Sequence, residues 1–163
     1  MTTSQPNRPL PSPADDAPII KRRISLGSGL SARKLIDAIG QIAQSTSQST
    51  SLACDAPGYE SGWVHLTLQS AGSSTHILSS PPFWVMTFGY DLNENPLTFL
   101  SRFGLDMLPE TDLIAWVPEL YASVRLPQTA AIPQLATLLV GIMQQVQGVS
   151  PESVEVAIHY DQM

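Results

Sequence analysis

The segment FWVMTFGY, at 83–90, is apolar or aromatic at almost every position. Successive side chains of a β-strand point to opposite faces, so this run predicts a strand with two apolar faces. Such a strand lies at the centre of a sheet and is covered on both sides, by helices or by a partner chain. The sequence does not decide whether the Trp84/Met86/Phe88 set or the Phe83/Val85 set is left free for a partner.

Other segments alternate with the period of a half-buried strand. WVHLTLQ, at 63–69, places Val64 and its apolar neighbours on one face and polar side chains on the other. Ala71-Gly72-Ser73-Ser74 predicts a hairpin turn into a strand at 75–79. Further strands are predicted at 120–125 and 154–160. Because the connections are too short for crossovers, the sheet is predicted to be mainly antiparallel.

Three helices are predicted from apolar stripes of helical period, at about 31–46, 96–103 and 132–147. The short middle helix has Asn95 as N-cap, Pro96 at its first position and Gly104 as its stop. The fold class that follows is α+β, a mainly antiparallel sheet packed against two long helices and one short helix.

The charge distribution divides the chain. Its net charge is -6, but residues 1–34 hold six of the eight basic residues and two acidic ones. An acidic body lacks the Lys and Arg that phosphate groups require, so we expect no nucleic-acid partner and no membrane partner there. Residues 1–30 are predicted to be a disordered or loosely docked basic arm, with five prolines in residues 1–18, and residues 31–163 a single domain.

The basic cluster Lys21, Arg22 and Arg23 precedes Ser25. Two interpretations remain open. The segment is a linker or an edge strand, or it is a kinase site or a docking segment for an acidic partner. In the second case the cluster is attracted to the acidic body of the chain or to an acidic client.

The start of the first helix carries a conflict. Ser31 can cap this helix, but Arg33 and Lys34 then lie in the first turn, where the helix dipole disfavours cations. An anion or an acidic neighbour would resolve the conflict. The preceding Gly27-Ser28-Gly29 lacks the spacing of a phosphate-binding loop and is interpreted as a flexible joint.

The stretch LSRFGLDMLPETD contains three carboxylates, Asp106, Glu110 and Asp112. Pro109 breaks any helix there, so the three fall on an irregular connection and share no helix face. The favoured interpretation is a helix exit that returns the chain to the sheet. The alternative is a small hydrolase-like or metal-dependent enzyme that uses these carboxylates with a histidine.

No cofactor or metal is expected from the remaining candidate ligands. The histidines, His65, His76 and His159, are interpreted as ordinary sheet residues, and a closed zinc site lacks ligands. The single cysteine, Cys54, excludes an intrachain disulfide and is interpreted as a buried, inert thiol.

A cytoplasmic location is expected. The first eighteen residues lack the apolar core of a secretory signal, and the longest apolar run, at 135–143, is shorter than a membrane span.

The order of elements resembles the type III secretion chaperone-like superfamily, which includes the YbjN and TY-Chap domains of bacteria. FLSRFGLDMLPETD is similar to the leucine-rich helix of that superfamily and the turn after it, and AAIPQLATLLVGIMQQVQGVSPESVEV is similar to its last helix. The likeness covers roughly residues 31–154. It implies a non-catalytic, chaperone-like or adaptor-like domain, whose sheet or helix surface binds a partner subunit or an extended client.

The candidate partner contacts follow from these observations. We expect a homodimer in which a second copy covers the free face of the sheet. The residues predicted to contact a partner or client are Trp84, Met86, Phe88, Lys21, Arg22 and Arg23.

Overall fold

A computed structural model describes residues 20–44, 49–69 and 82–162. The strands are β1 (Ile20–Ser28), β2 (Ser49–Asp55), β3 (Trp63–Gln69), β4 (Phe83–Gly89), β5 (Asp112–Val117), β6 (Tyr121–Pro127) and β7 (Glu155–Gln162). The helices are α1 (Ala32–Gln44), α2 (Pro96–Arg102) and α3 (Ile132–Gly141), and α3 continues into a π-helical turn, Ile142–Val146.

The seven strands form one sheet in the order β1-β7-β2-β3-β4-β6-β5. Every neighbouring pair is antiparallel. The predicted α+β class with an antiparallel sheet is therefore confirmed. The last strand, β7, lies between β1 and β2, so both ends of the described chain meet in the same part of the sheet.

The predicted elements agree with the structure where apolar side chains recur with a clear helical or strand period. Asn95 caps α2 by accepting a hydrogen bond from the Leu97 amide at 2.9 Å, and Gly104, at φ 78°, ends it. α1 begins at Ala32, and residues 45–46 of its predicted span lie outside the described residues. α3 with its π-helical turn covers 132–146 of the span predicted at 132–147. β2 and β5 were not predicted, and the strand predicted at 75–79 lies outside the described residues. Both edges of β3 are occupied, by β2 and β4.

The segment predicted as an arm contributes an edge strand. β1 pairs with β7 from Ile20 onward, so the sheet begins before the boundary that we placed between residues 30 and 31. The edge-strand interpretation of the basic cluster thus agrees with the described structure.

The helices cover one face of the sheet. A cross-strand row of that face is fully buried or nearly so, and consists of Ile158, Leu52, Leu66, Met86 and Val124. Buried side chains of all three helices join these residues in one apolar cluster, including Ile39 of α1, Leu100 of α2 and Leu139 of α3. The opposite face has no described helix over it.

The first turn of α1 contains Lys34, whose backbone amide and side-chain ammonium group both form hydrogen bonds. Ser31 Oγ accepts a hydrogen bond from the Lys34 amide at 3.2 Å, which is the predicted cap. Lys34 Nζ donates to the carbonyls of Ser28 and Gly29 at 3.0 and 2.9 Å. Two backbone carbonyls therefore stabilise this ammonium group.

The end of α3 is tied to the sheet. Gln147 follows the π-helical turn, and its Nε2 donates to the carbonyls of Trp63 and Gly89, each at 2.9 Å. Gly148, at φ 69°, then reverses the chain. One side-chain amide thus connects the last helix to the ends of β3 and β4.

A close backbone approach fixes the end of β4. A Cβ atom at Gly89 would lie 2.4 Å from the carbonyl oxygen of Ser61, which is part of the backbone and cannot rotate away. Gly40, inside α1, is different, because a Cβ there would meet nothing within 4 Å. The two glycines form a matched pair.

We predict opposite effects on stability. Gly89→Ala should lower the free energy of unfolding by about 1–3 kcal/mol, because the clash displaces backbone. Gly40→Ala should raise it by roughly 0.5–1 kcal/mol, because alanine favours the helix. Urea unfolding of both variants measures these values. Equal destabilisation by the two substitutions would contradict the close approach at Gly89.

Candidate partner-binding surfaces

The aromatic set that we predicted to contact a partner lies in the core. Trp84 is 2% exposed, and Met86 and Phe88 are fully buried, because their face of β4 is the one beneath the helices. A partner could reach them only by displacing the helices. Phe83 and Val85 lie on the opposite face and are half-buried. The candidate contact residues on β4 are therefore Phe83 and Val85.

The predicted basic cluster is divided between the two faces of β1. The guanidinium of Arg22 lies 5.8 Å from the ring centroid of Tyr160. Arg23 stands opposite His159 in the ladder with β7, and Lys21 stands opposite Asp161. Arg22 and Arg23 are both exposed. The cluster therefore forms the charged edge of a sheet, an arrangement that discourages further strand pairing.

We call the side of the sheet that lacks described helices the helix-free face. Its residues form cross-strand rows, because side chains two apart point to the same side. The central row has mostly small side chains: Ser25, Ala157, Ala53, His65, Thr87, Ser123 and Ala115. Ala53 and Ala157 are buried but do not belong to the core cluster beneath the helices.

The row on one side of this central row carries the cations. It contains Arg23, His159, Ser51, Thr67, Val85, Arg125 and Asp112. The guanidinium of Arg125 lies 4.7 Å from the ring centroid of Phe83. This stacking holds a cation over an aromatic ring on the helix-free face.

The row on the other side carries carboxylates. Asp55 stands directly opposite Glu155, and both side chains are exposed. Like charges in this position destabilise a sheet. His65 Nε2 lies 3.5 Å from Asp55 Oδ1, and the ring of His65 lies 5.2 Å from that of Trp63. The acidic pair thus has an imidazole ring beside it.

The edge strand β5 presents a second surface. Exposed apolar side chains follow it and the turn after it: Ile114 is 49% exposed, Val117 39% and Leu120 60%. Exposed carboxylates flank the strand, from Glu110 before it to Glu119 after it. These two are the only non-glycine residues with positive φ within the described ranges. Pro118, between β5 and β6, is the sequence signal for this edge, because a proline divides two elements or confines them to a sheet edge.

The three carboxylates of the enzyme alternative do not converge on a described histidine. Asp106 lines a cleft of about 360 Å³ against α3, together with Gln134, Thr137 and Gln145. Asp112 begins β5, three strand positions from His65 on β3, which is about 14 Å at the usual strand spacing. Within residues 20–44, 49–69 and 82–162, no three His, Cys, Asp or Glu side chains form a group that could hold a metal ion. His76 lies outside those ranges.

The remaining charged pair of this region is structural. Arg102, in the last turn of α2, forms a bidentate ion pair with Glu94, one contact of which is 2.6 Å. The hydrogen bonds from Arg102 lower the pKa of the Glu94 carboxyl. The arginine of LSRFGLDMLPETD is thus engaged by a carboxylate outside the stretch.

Comparisons with known proteins gave no match. A scan against protein-family models, a search of curated proteins and a search of solved structures each found nothing similar to this chain. The resemblance to the secretion chaperone-like superfamily stays a prediction. No helix in the described part of the chain has the length and apolar character needed to cross a membrane.

Cys54 lies in β2 and is fully buried. Burial, together with the adjacent Asp55 carboxylate, raises the pKa of its thiol to about 12. At pH 8 such a group is a thiolate in only about one molecule in ten thousand.

We therefore predict that the folded protein reacts with a thiol-specific disulfide reagent at pH 8 at least a hundredfold more slowly than the urea-unfolded chain, because the thiolate fraction alone falls by about a thousandfold. Absorbance of the released thiol reports both rates. Rapid reaction of the folded protein would contradict the burial of Cys54. A free cysteine-containing peptide controls for reagent activity.

Proposed function

We propose that this chain is a non-catalytic protein-binding module that forms a homodimer through its helix-free face. The observation that carries the proposal is the arrangement of three rows on that face, with cations and carboxylates on opposite sides of a row of small side chains. The described helices form a single layer over the seven-stranded sheet, and none of them covers the second face.

The charge pattern is complementary to itself. A twofold axis along the central row would place the cation row of one copy over the carboxylate row of the other. His159 would then lie over the Glu155 of the second copy, because both are on β7. Arg23, on the neighbouring β1, would lie one strand spacing from that Glu155, and the same contacts would repeat by symmetry. A cation from the partner would relieve the repulsion within the carboxylate pair.

The size of the face is adequate for a dimer. A seven-stranded sheet with strands of about seven residues measures about 29 by 23 Å, or roughly 670 Å² of projected area. Stable interfaces bury about 800 Å² per partner. The small residues of the central row, Ala53, Ala157 and Ser123, permit the two sheets to approach closely, and Phe83 and Val85 supply apolar contact.

The resemblance to the secretion chaperone-like superfamily supports the same role. Its members combine an antiparallel sheet with helices, and the resemblance implies a partner subunit or client and no catalytic residues. Asp106, Glu110 and Asp112 form no group with a described histidine, so the geometry does not favour the enzyme alternative that uses them. A cytoplasmic, chaperone-like or adaptor-like module is therefore our proposal for this chain.

The proposal predicts that Val85→Lys converts a dimer to a monomer, because the substitution places two unpaired charges in the interface. Sedimentation velocity over a range of concentrations measures the change. Thr98→Lys is the matched control, since Thr98 is exposed on α2 and lies away from the helix-free face. This control should remain dimeric.

A charge exchange tests the symmetry. Arg23→Glu and Glu155→Arg should each weaken the dimer, and the double variant should restore it, because the two substituted residues lie near each other across the twofold axis. Wild-type protein that stays monomeric up to ~100 µM would rule out a dimer of useful affinity. A dimer that Val85→Lys leaves intact would place the interface elsewhere.

A further inference from the structure

We propose that the outer edge of β5 is a docking site for an extended, basic peptide segment of another protein, which adds to the sheet as an eighth strand. β5 ends the strand order, so one of its two backbone edges has no partner among the described strands. An unpaired edge presents a row of N–H and C=O groups that an extended peptide can satisfy.

The two edges of the sheet differ in how they are protected. β1 carries Lys21, Arg22 and Arg23, and its ladder with β7 is irregular between Ser25 and Ser28. β5 has no Lys, Arg or Pro within Asp112–Val117. Natural edges use charge, proline and bulges to prevent added strands. By this comparison β5 is the edge that accepts a strand, although it too has one irregularity, between Leu113 and Ala115.

Apolar contacts along β5 give the site affinity beyond backbone hydrogen bonds. Ile114 and Val117 are among the most exposed large apolar side chains of the described residues, and Leu120 in the following turn is the most exposed. Exposed apolar groups in one short segment mark interaction sites more often than scattered ones do. A docked strand would cover these side chains with its own.

The charge around β5 selects a basic ligand. The segment 103–120 contains four carboxylates, those of Asp106, Glu110, Asp112 and Glu119, and no Lys, Arg or His. All four side chains are exposed. Carboxylates that flank an edge attract a basic segment, fix its register and repel an acidic one.

The same carboxylates argue against pairing between two copies of β5, because each edge would bring its acids next to those of the other. The β1 edge of a second copy has the required positive charge. Pairing of β1 with β5 would leave the same two edges free again, and so it would repeat into a polymer. Polymer formation is therefore a distinct and observable outcome.

This inference rests on the proposed role in protein binding but uses the outer backbone edge of β5. Of the side chains it invokes, Asp112 also belongs to the cation row of the helix-free face. A reporter lies on the strand itself. The indole Nε1 of Trp116 is buried and has no hydrogen-bond partner among the described residues. Its NMR resonance should shift when a strand docks beside β5.

The experiment uses full-length protein and a fluorescein-labelled peptide of alternating Val and Lys, nine residues long. Two matched peptides carry Glu in place of Lys, or N-methyl groups on all internal amides, which remove the N–H donors from both edges of the peptide. Fluorescence anisotropy at low salt should show binding of the Lys peptide and about tenfold or weaker binding of both controls. The Lys peptide should also slow hydrogen exchange of β5 amides and shift the Trp116 resonance.

Variants on the protein separate the contributions. Ile114→Ser/Val117→Ser should weaken binding about tenfold, and Glu110→Gln/Asp112→Asn should weaken it and reduce its salt dependence. Ile24→Ser, at the opposite edge, should leave binding unchanged. Val85→Lys should also bind the peptide normally, so failure of the dimer and failure of this site are distinguishable.

Four results would overturn the inference. The first three are binding of the N-methylated peptide as tightly as the Lys peptide, loss of binding in Val85→Lys but not in the β5 variants, and growth of polymers of the protein alone with concentration. Absence of any binding by the Lys peptide would overturn it equally, because this peptide supplies both the charge and the free backbone that the edge requires.

Discussion

Coverage of the sheet from one side is the constraint on which the rest of this structure depends. Seven strands expose two faces, and the described helices pack on only one of them. Leu52, Leu66 and Met86 are buried because they point towards the helices. Their neighbours along each strand point the other way, and their character determines what the second face can do. That face combines apolar, small and charged side chains in ordered rows, which is unlike a uniformly solvated surface.

The fold class could be predicted because period two and helical period are local signals. β3 and β4 were found with nearly correct bounds, and α2 was found through its cap and stop residues. β2 was missed because its first half belongs to the polar tract QSTSQSTS. Its strand conformation comes from ladders with β3, which follows it closely in the sequence, and with β7, which lies about a hundred residues further on. Tertiary pairing overrides local preference in such cases.

The candidate site was less predictable than the fold, because it depends on tertiary contacts that local sequence patterns do not indicate. The alternation in β4 defines two sets of side chains but does not say which set meets the helices. Trp84, as a large aromatic, was a reasonable candidate for a contact and proved to be core. The rows of the helix-free face depend on cross-strand register, since Asp55 and Glu155 are a hundred residues apart. No local pattern in one sequence indicates that they are neighbours.

The position of β7 has a consequence for how the chain folds. β7 is the last strand in sequence, yet it fills the space between β1 and β2. Until it is made, β1 has no described neighbour in the sheet, and β2 has a partner on only one side. A sheet that depends on contacts between strands distant in the sequence folds slowly. Its unpaired edges are prone to association until the last strand is added. The basic residues of β1 would keep that edge soluble during synthesis, before any partner is available.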